Sequence, residues 1–269
     1  MLTLKLSSKS TGSIFQGTPT NYLNENFNAL TEIGNSSDYG TVPSNWNTAT
    51  SNHPYGSSNT EGQRSWEVES GVTLSSQTGP SGAHGGSDSS GAFADNGANQ
   101  TTDPPHKYMY IETSSQYNKN FLLRTPELDF SNSKNNNTLK LTFWFHMHGA
   151  QLGELMIGTS NSATSAADGS VGTGFSDEAD GASRTGMSIE FWDDASNDGS
   201  STTTAIVIEG QQQSLGHTST AVGAYWRKAT VNLNAVAEES SCYIWFYAKS
   251  GSTFRSDICI DTVKVDGEE

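Results

Sequence analysis

The chain has 269 residues, with 14 Lys+Arg against 29 Asp+Glu and a formal net charge of −15. That balance leaves no clustered cations to displace the counterions of a phosphate backbone, which argues against nucleic acid and against an anionic membrane surface, and no 18-residue apolar run offers a transmembrane span. Only 33% of residues are hydrophobic and 27 are glycine, which is too polar for a helical bundle and suits short strands joined by many loops.

Residues 1–22 open with alternating Leu2, Leu4 and Leu6 and continue as Ser/Thr/Gly-rich chain. This reads as an N-terminal arm that docks on a neighbour, as a tether, or as an ordinary edge strand. There is no apolar core behind a basic start, so no secretory signal is expected, and Met1 points to folding in a cytoplasm. Glu25–Asn28 reads as a short opening strand, and Pro43-Ser44-Asn45-Trp46 as a turn that delivers an aromatic inward. Ser65–Val68 is another short strand. A glycine- and serine-rich stretch follows, with an insertion at 82–106 whose length points to a functional or mobile loop. Lys107–Thr113 and Phe121–Pro126 are strands, and Asp129–Asn137 is a turn.

The strongest signal is Leu139–His148. Leu139, Leu141, Phe143, Phe145 and Met147 point one way, and Lys140, Thr142, Trp144, His146 and His148 the other. A period of two in large apolar and aromatic residues marks a long strand with one buried face. Gly149 and Gly153 permit a turn, Leu155 and Ile157 begin the next strand, and 158–185 is a second insertion. Gly186–Trp192 and Thr203–Glu209 suggest a hairpin around Asp193–Ser201. Ala224–Leu233, Cys242–Ala248 and Asp257–Val265 complete the strands, with a helical turn near 234–239. The pattern predicts one all-β domain over 23–269, an antiparallel jelly-roll β-sandwich. Cys242 and Cys259 would meet across a hairpin centred on Gly251 only in a shifted register, so free buried thiols are expected.

Ser65-Trp66, Thr78-Gly79-Pro80, Tyr108–Glu112, Leu122–Pro126, the run Leu141–Gly149 with Gly153–Leu155, Trp226–Leu233 and Asp257–Val263 occur in the order of a known module. Together they resemble the MAM domain, a jelly roll of adhesion proteins and metalloproteases, and the start of the chain also resembles bacterial adhesin-type jelly rolls. The family's cysteines are missing, and Ala83-His84-Gly85 stands where it has Asp-His-Thr. These departures, with the missing leader, suggest a version adapted to cytoplasmic folding, as in virion proteins of tailed phages. The resemblance implies a structural Ca2+ ion held near Glu25 or Asn28, Asp257 and Asp261. Oxygen-rich ligands suit that hard cation, although Asn28 lowers the charge of the set.

Other chemistry is thinner. Asp193–Gly199 copies half of an EF-hand loop but has Ala205 where the twelfth position needs Glu, so a hairpin turn is expected. His146 and His148 share a strand face without a third ligand nearby in sequence. Glu67, Glu69, Glu112, Glu154 and Glu190 offer carboxylates for a glycosidase pair, but nothing in their spacing selects two. Trp46, Tyr55, Trp192 and Tyr225, with Tyr39, lie in or beside loops, where they would either stack on sugars or plug the sandwich ends.

The expectation is therefore a non-enzymatic structural or adhesion protein, multi-copy or homo-oligomeric in a virion and partnered by other assembly proteins. The alternative is an extracellular or cell-surface adhesin for a host glycan or receptor. A jelly-roll glycoside hydrolase comes third.

Overall fold

The computed structural model describes residues 17–31, 42–48, 63–70, 73–75, 78–80, 107–134, 138–161, 188–193, 199–203, 207–213 and 226–269. Fourteen strands appear in chain order: β1 Pro19–Glu25, β2 Asn47–Thr48, β3 Gln63–Arg64, β4 Glu67–Glu69, β5 Tyr108–Tyr110, β6 Asn120–Arg124 and β7 Lys140–Met147. Then come β8 Glu154–Ser160, β9 Ser188–Asp193, β10 Gly199–Thr203, β11 Val207–Glu209, β12 Arg227–Asn232, β13 Tyr243–Lys249 and β14 Ile258–Glu268. The helical turn is a single 3-10 turn at Asn234–Val236.

One sheet has eight strands in the order β10-β9-β12-β7-β14-β5-β4, with β1 also on β14; the other has six in the order β11-β8-β13-β6-β2, with β3 on β6. From β5 to β8, and again from β11 to β14, each strand lies in the opposite sheet from the one before. This alternation gives a jelly roll, with β5-β14-β7-β12 facing β6-β13-β8-β11. All strand pairs are antiparallel except β3 with β6.

The core lies between the sheets, and the alternation of the central strand supplies it. Leu141, Phe143, Phe145 and Met147 are fully buried there with Ala229 and Val231 of β12 and Ile244, Phe246 and Ala248 of β13. Phe143 and Phe246 meet edge-on across the sandwich at 5.2 Å between ring centroids. The opposite face of the eight-stranded sheet carries a second cluster of Tyr108, Tyr110, Trp144, Trp226 and Cys259.

β14 holds a bulge. Asp261 pairs with Trp144 and Lys264 with Thr142, so Thr262 and Val263 together face Phe143. Thr262 takes a left-handed φ of 48°, and the Asp261 carboxylate accepts a hydrogen bond from its N–H at 2.5 Å. The extra residue keeps Ile258, Ile260, Val263 and Val265 all in the core.

Several expectations change. β13 and β14 lie in different sheets, so there is no hairpin around Gly251. Cys242 is in the central core and Cys259 in the outer cluster, both free and buried. The hairpin after 186 forms between β9 and β10, but Val207–Glu209 leaves it to pair with β8 in the other sheet. The boundary at residue 22 falls inside β1, which pairs with β14 from Pro19↔Glu268 to Glu25↔Val263. This part of the segment is thus an edge strand of its own domain; residues 1–16 lie outside the described residues.

Phe143→Ala is expected to cost about 3–5 kcal/mol by removing a ring from a close-packed centre. Thr262→Gly is expected to add on the order of 1 kcal/mol, because a β-branched residue is strained at positive φ. Urea denaturation of both variants checks the contrast, and a destabilised Thr262→Gly would show that its side-chain contacts outweigh the strain.

Candidate functional site

The jelly-roll crossing brings four connections to one end of the sandwich: 111–119 after β5, 148–153 after β7, 210–213 after β11 and 250–257 after β13. Hydrogen bonds stitch them together. The Asn118 N–H donates to the Gly251 carbonyl at 2.9 Å, and the Ser250 hydroxyl donates to the Gln116 carbonyl at 2.5 Å. That hydroxyl also accepts from the Lys119 N–H at 2.8 Å. Gln213 extends the sheet past the end of β12: its side chain accepts from the Met147 N–H at 2.7 Å and donates to the Phe145 carbonyl at 3.1 Å.

Two glycines allow the backbones to close up. A Cβ on Gly251 would lie 1.5 Å from the Gln151 carbonyl oxygen, and one on Gly153 would lie 1.9 Å from that of Lys249. Above this floor is an open cleft of about 690 Å³ to which all four connections contribute, including Asn118, Gln151, Glu154, Glu209, Lys249 and Ser252. Glu154 and Glu209 face each other in register across β8 and β11, and Lys249 lies 3.7 Å from Glu154. Gln151 Oε1 accepts from Thr253 at 2.9 Å. Among the described residues, nothing bonds its Nε2, the Asn118 amide group or the Glu209 carboxylate.

The large hydrophobic side chains exposed among the described residues are Leu74 at 62%, Tyr117 at 42% and Phe254 at 36%. Tyr117 and Phe254 belong to the loops of this end. Leu74 joins them through Ser75, whose hydroxyl lies 2.9 Å from that of Ser114. Ser115 and Asn118, both non-glycine, hold positive φ within one short loop. Strained backbone of this kind persists where the surroundings impose it, and it gathers at functional loops.

Two of these connections also carry a buried acidic group. Asp257 is fully buried and accepts from the Thr78 hydroxyl at 2.5 Å and the Thr113 hydroxyl at 2.8 Å. It thereby ties the segments at 78, 113 and 257 together. Glu112 is 4% exposed. One of its oxygens accepts from the Ser114 N–H at 2.7 Å, while Oε2 has no partner. Burial pushes the Asp257 carboxyl above its usual range and the Glu112 charge adds to this, against the opposing pull of the threonine hydrogen bonds. Burial, then Glu112, likewise pushes Glu67 up to about 7.

The residues expected to hold calcium are placed as follows. Glu25 accepts from the Phe27 N–H at 2.7 Å, and Asn28 accepts from the Lys107 N–H at 2.8 Å. Asp257 is held by its threonines, and Asp261 turns onto its own Thr262. Asp257 immediately precedes β14 and Asp261 lies within it. Each of the four carries a local donor, and no three acidic, His or Cys side chains among the described residues group as metal ligands. The set as placed does not fit a calcium cage.

The aromatic candidates separate. Trp46 is only 5% exposed, packed edge-on against Phe27 at 5.6 Å, so its ring fills the core and offers no face to a sugar. Trp192 lies in β9 in register with Lys228. Tyr39, Tyr55 and Tyr225 fall outside the described residues. His146 is fully buried with its ring 5.9 Å from that of Trp226, and His148 Nδ1 meets the Gln213 carbonyl at 2.9 Å. Both histidines serve packing and loop attachment. Of the carboxylates considered for catalysis, Glu67 and Glu112 are neighbours in the buried group, Glu154 lines the cleft, and Glu190 lies in β9. Tyr117, Asn118, Gln151 and Glu209 were not foreseen; the glycines at strand ends, Gly149, Gly153, Gly210 and Gly251, were the available signal.

No protein-family model matches the chain. Among solved structures it is similar to the K2 cleaved adhesin domain of Lys-gingipain, at 15% identity and TM-score 0.42, over 90% of this chain and 96% of that one. It is similar to the K3 cleaved adhesin domain of Lys-gingipain from Porphyromonas gingivalis at 15% identity and TM-score 0.41, over 91% and 98% of the two chains. A third similarity is to the enzymatically active domain of bacteriophage CBA120 tailspike protein 4. There identity is 12% and the TM-score 0.33, over 84% of this chain and 20% of that one.

The raised carboxyls have a consequence for stability. Between about pH 4, the ordinary carboxylate range, and about pH 7, the folded protein keeps protons that the unfolded chain releases. The stabilisation is full below that window and is lost as pH rises through it. The melting midpoint is expected to fall from pH 5 to pH 8 at fixed ionic strength, and Glu67→Gln to reduce the fall. An identical pH profile for wild type and Glu67→Gln would show that Glu67 does not hold the proton.

Proposed function

We propose that the chain is a non-enzymatic adhesion and assembly protein, a MAM-like jelly roll acting as a structural or appendage component of a phage virion. The same module on a cell surface or in the extracellular space would be an adhesin for a glycan or protein receptor, and one appendage can be both. It is present in many copies, held among other assembly proteins. The observation that carries this reading is the loop end: four connections pinned to one another around a cleft in which, among the described residues, the Gln151 Nε2, the Asn118 amide group and the Glu209 carboxylate have no partner, with exposed Tyr117 and Phe254 on the same loops. Pre-organised loops with free hydrogen-bonding groups suit recognition, because little order remains to be lost on binding. Pro19–Glu25 pairs with β14, so this stretch is already committed within its own domain.

One observation favours the glycoside-hydrolase reading as second. Glu154 and Glu209 are direct cross-strand partners in a cleft, and such partners place their Cβ atoms about 5 Å apart, near the carboxyl spacing of retaining glycosidases. The ion pair of Glu154 with Lys249 suits binding better than proton donation.

The test compares attachment of the intact protein, a 2–16 deletion and an Asn118→Ala/Glu209→Gln double variant to a panel of bacterial envelopes. Attachment is expected to survive the deletion and to fall at least tenfold in the double variant at an unchanged melting midpoint. Undiminished attachment by the double variant would remove the loop end from the function, and degradation of envelope polysaccharide by the intact protein would favour the hydrolase.

A further inference from the structure

The cleft constrains its occupant by shape, charge and hydrogen-bonding pattern. Its volume of about 690 Å³ lies within the range of small-molecule sites, about 300–1,000 Å³. Most of its lining is polar, and Leu152 is its one large apolar residue, so an apolar peptide anchor finds no pocket. Two glutamates against one lysine leave it net negative, within a chain of net charge −15, which disfavours phosphate, sulfate and carboxylate ligands. What remains is a ligand that donates to Glu209 while accepting from the Gln151 and Asn118 amides.

Neighbouring hydroxyl groups on a sugar ring do both, since each hydroxyl is donor and acceptor at once. Tyr117, 42% exposed and adjacent in the chain to Asn118, supplies a ring for the apolar face of such a sugar. Phe254 carries the Arg255 guanidinium over its ring at 5.3 Å, so Tyr117 is the less encumbered platform. The Asn118–Gly251 and Ser250–Gln116 hydrogen bonds fix the loop that presents both Tyr117 and Asn118.

We propose that this cleft is a subsite for an uncharged sugar residue of a surface polysaccharide, with Glu209, Asn118 and Gln151 reading its hydroxyls and Tyr117 stacking on its ring. This rests on the loop end being the binding surface, and it names the ligand class. The intact protein is applied to an array of immobilised oligosaccharides in which neutral chains are matched to the same cores bearing sialic acid, uronic acid or sulfate. Binding to one or more neutral chains is expected, at least tenfold stronger than to the matched acidic chains. Tyr117→Ala and Glu209→Gln are each expected to lower it at least fivefold with melting midpoints unchanged.

The envelope panel, with and without periodate oxidation of its sugars, separates the two levels of the argument. Attachment that needs Asn118 and Glu209 but survives periodate, with no neutral chain bound on the array, overturns the sugar assignment and leaves the binding end in place. Attachment indifferent to those residues overturns both. Stronger binding to acidic chains, or to a lysine-rich peptide included on the array, also overturns the sugar assignment.

Discussion

The bulge at Asp261–Lys264 is the constraint on which the sandwich depends. β14 runs eleven residues through the middle of the larger sheet, and strict alternation along it would turn Val263 and Val265 outward once Ile258 and Ile260 point in. The extra residue resets the phase. It also divides the free side of β14 between two neighbours: β5 pairs with Cys259 and Ile260, and β1 with Val263 through Glu268. One local irregularity, sealed by the Asp261 carboxylate, therefore lets a single strand seat three others and keep a continuous buried face.

Outward-facing Cys259 and the residue just before β14 have a different task. Cys259 joins Tyr108, Tyr110, Trp144 and Trp226 in the outer cluster, while Asp257 anchors Thr78 and Thr113. Because Asp257 closes the connection that follows β13, its hydrogen bonds tie the placement of that loop to the loop after β5. The cleft lies where those two loops meet the loops after β7 and β11. Its floor is set by the hydrogen bonds that join these connections, Asn118 to Gly251 and Ser250 to Gln116, and the Glu209 carboxylate takes no part in them.

Much of this architecture was legible because burial imposes a period on sequence. The alternation in Leu139–Met147 gave its strand to within a residue, and the two strong strands at the C-terminus were equally plain. Sheet membership was not legible. Cys242–Ala248 and Asp257–Val265 are close in sequence and both apolar, which suits a hairpin as well as a crossing between sheets. Nor was the bulge, since a β-branched Thr262 is among the least expected residues at positive φ. The loop aromatics show a further limit: composition marks Trp46 as large and flanked by turn residues, but its partner Phe27 decides that it faces inward. The cleft was least accessible of all, because Asn118, Gln151, Glu209 and Gly251 are distant in sequence and meet only through the jelly-roll crossing.

Acidity has two physical meanings in this chain, and burial separates them. Asp257 and Glu112 are withdrawn from water, so their charges act on each other and on Glu67, and a ligand at the surface cannot reach them without undoing the loop anchors. Glu209 is exposed and without a side-chain partner among the described residues, so its oxygens exchange water for a ligand hydroxyl at little cost. A carboxylate already bound by backbone or hydroxyl donors has fewer lone pairs left to offer. The division between anchoring and available carboxylates therefore follows from depth in the fold, and it places the surface open to a partner at the rim of the cleft.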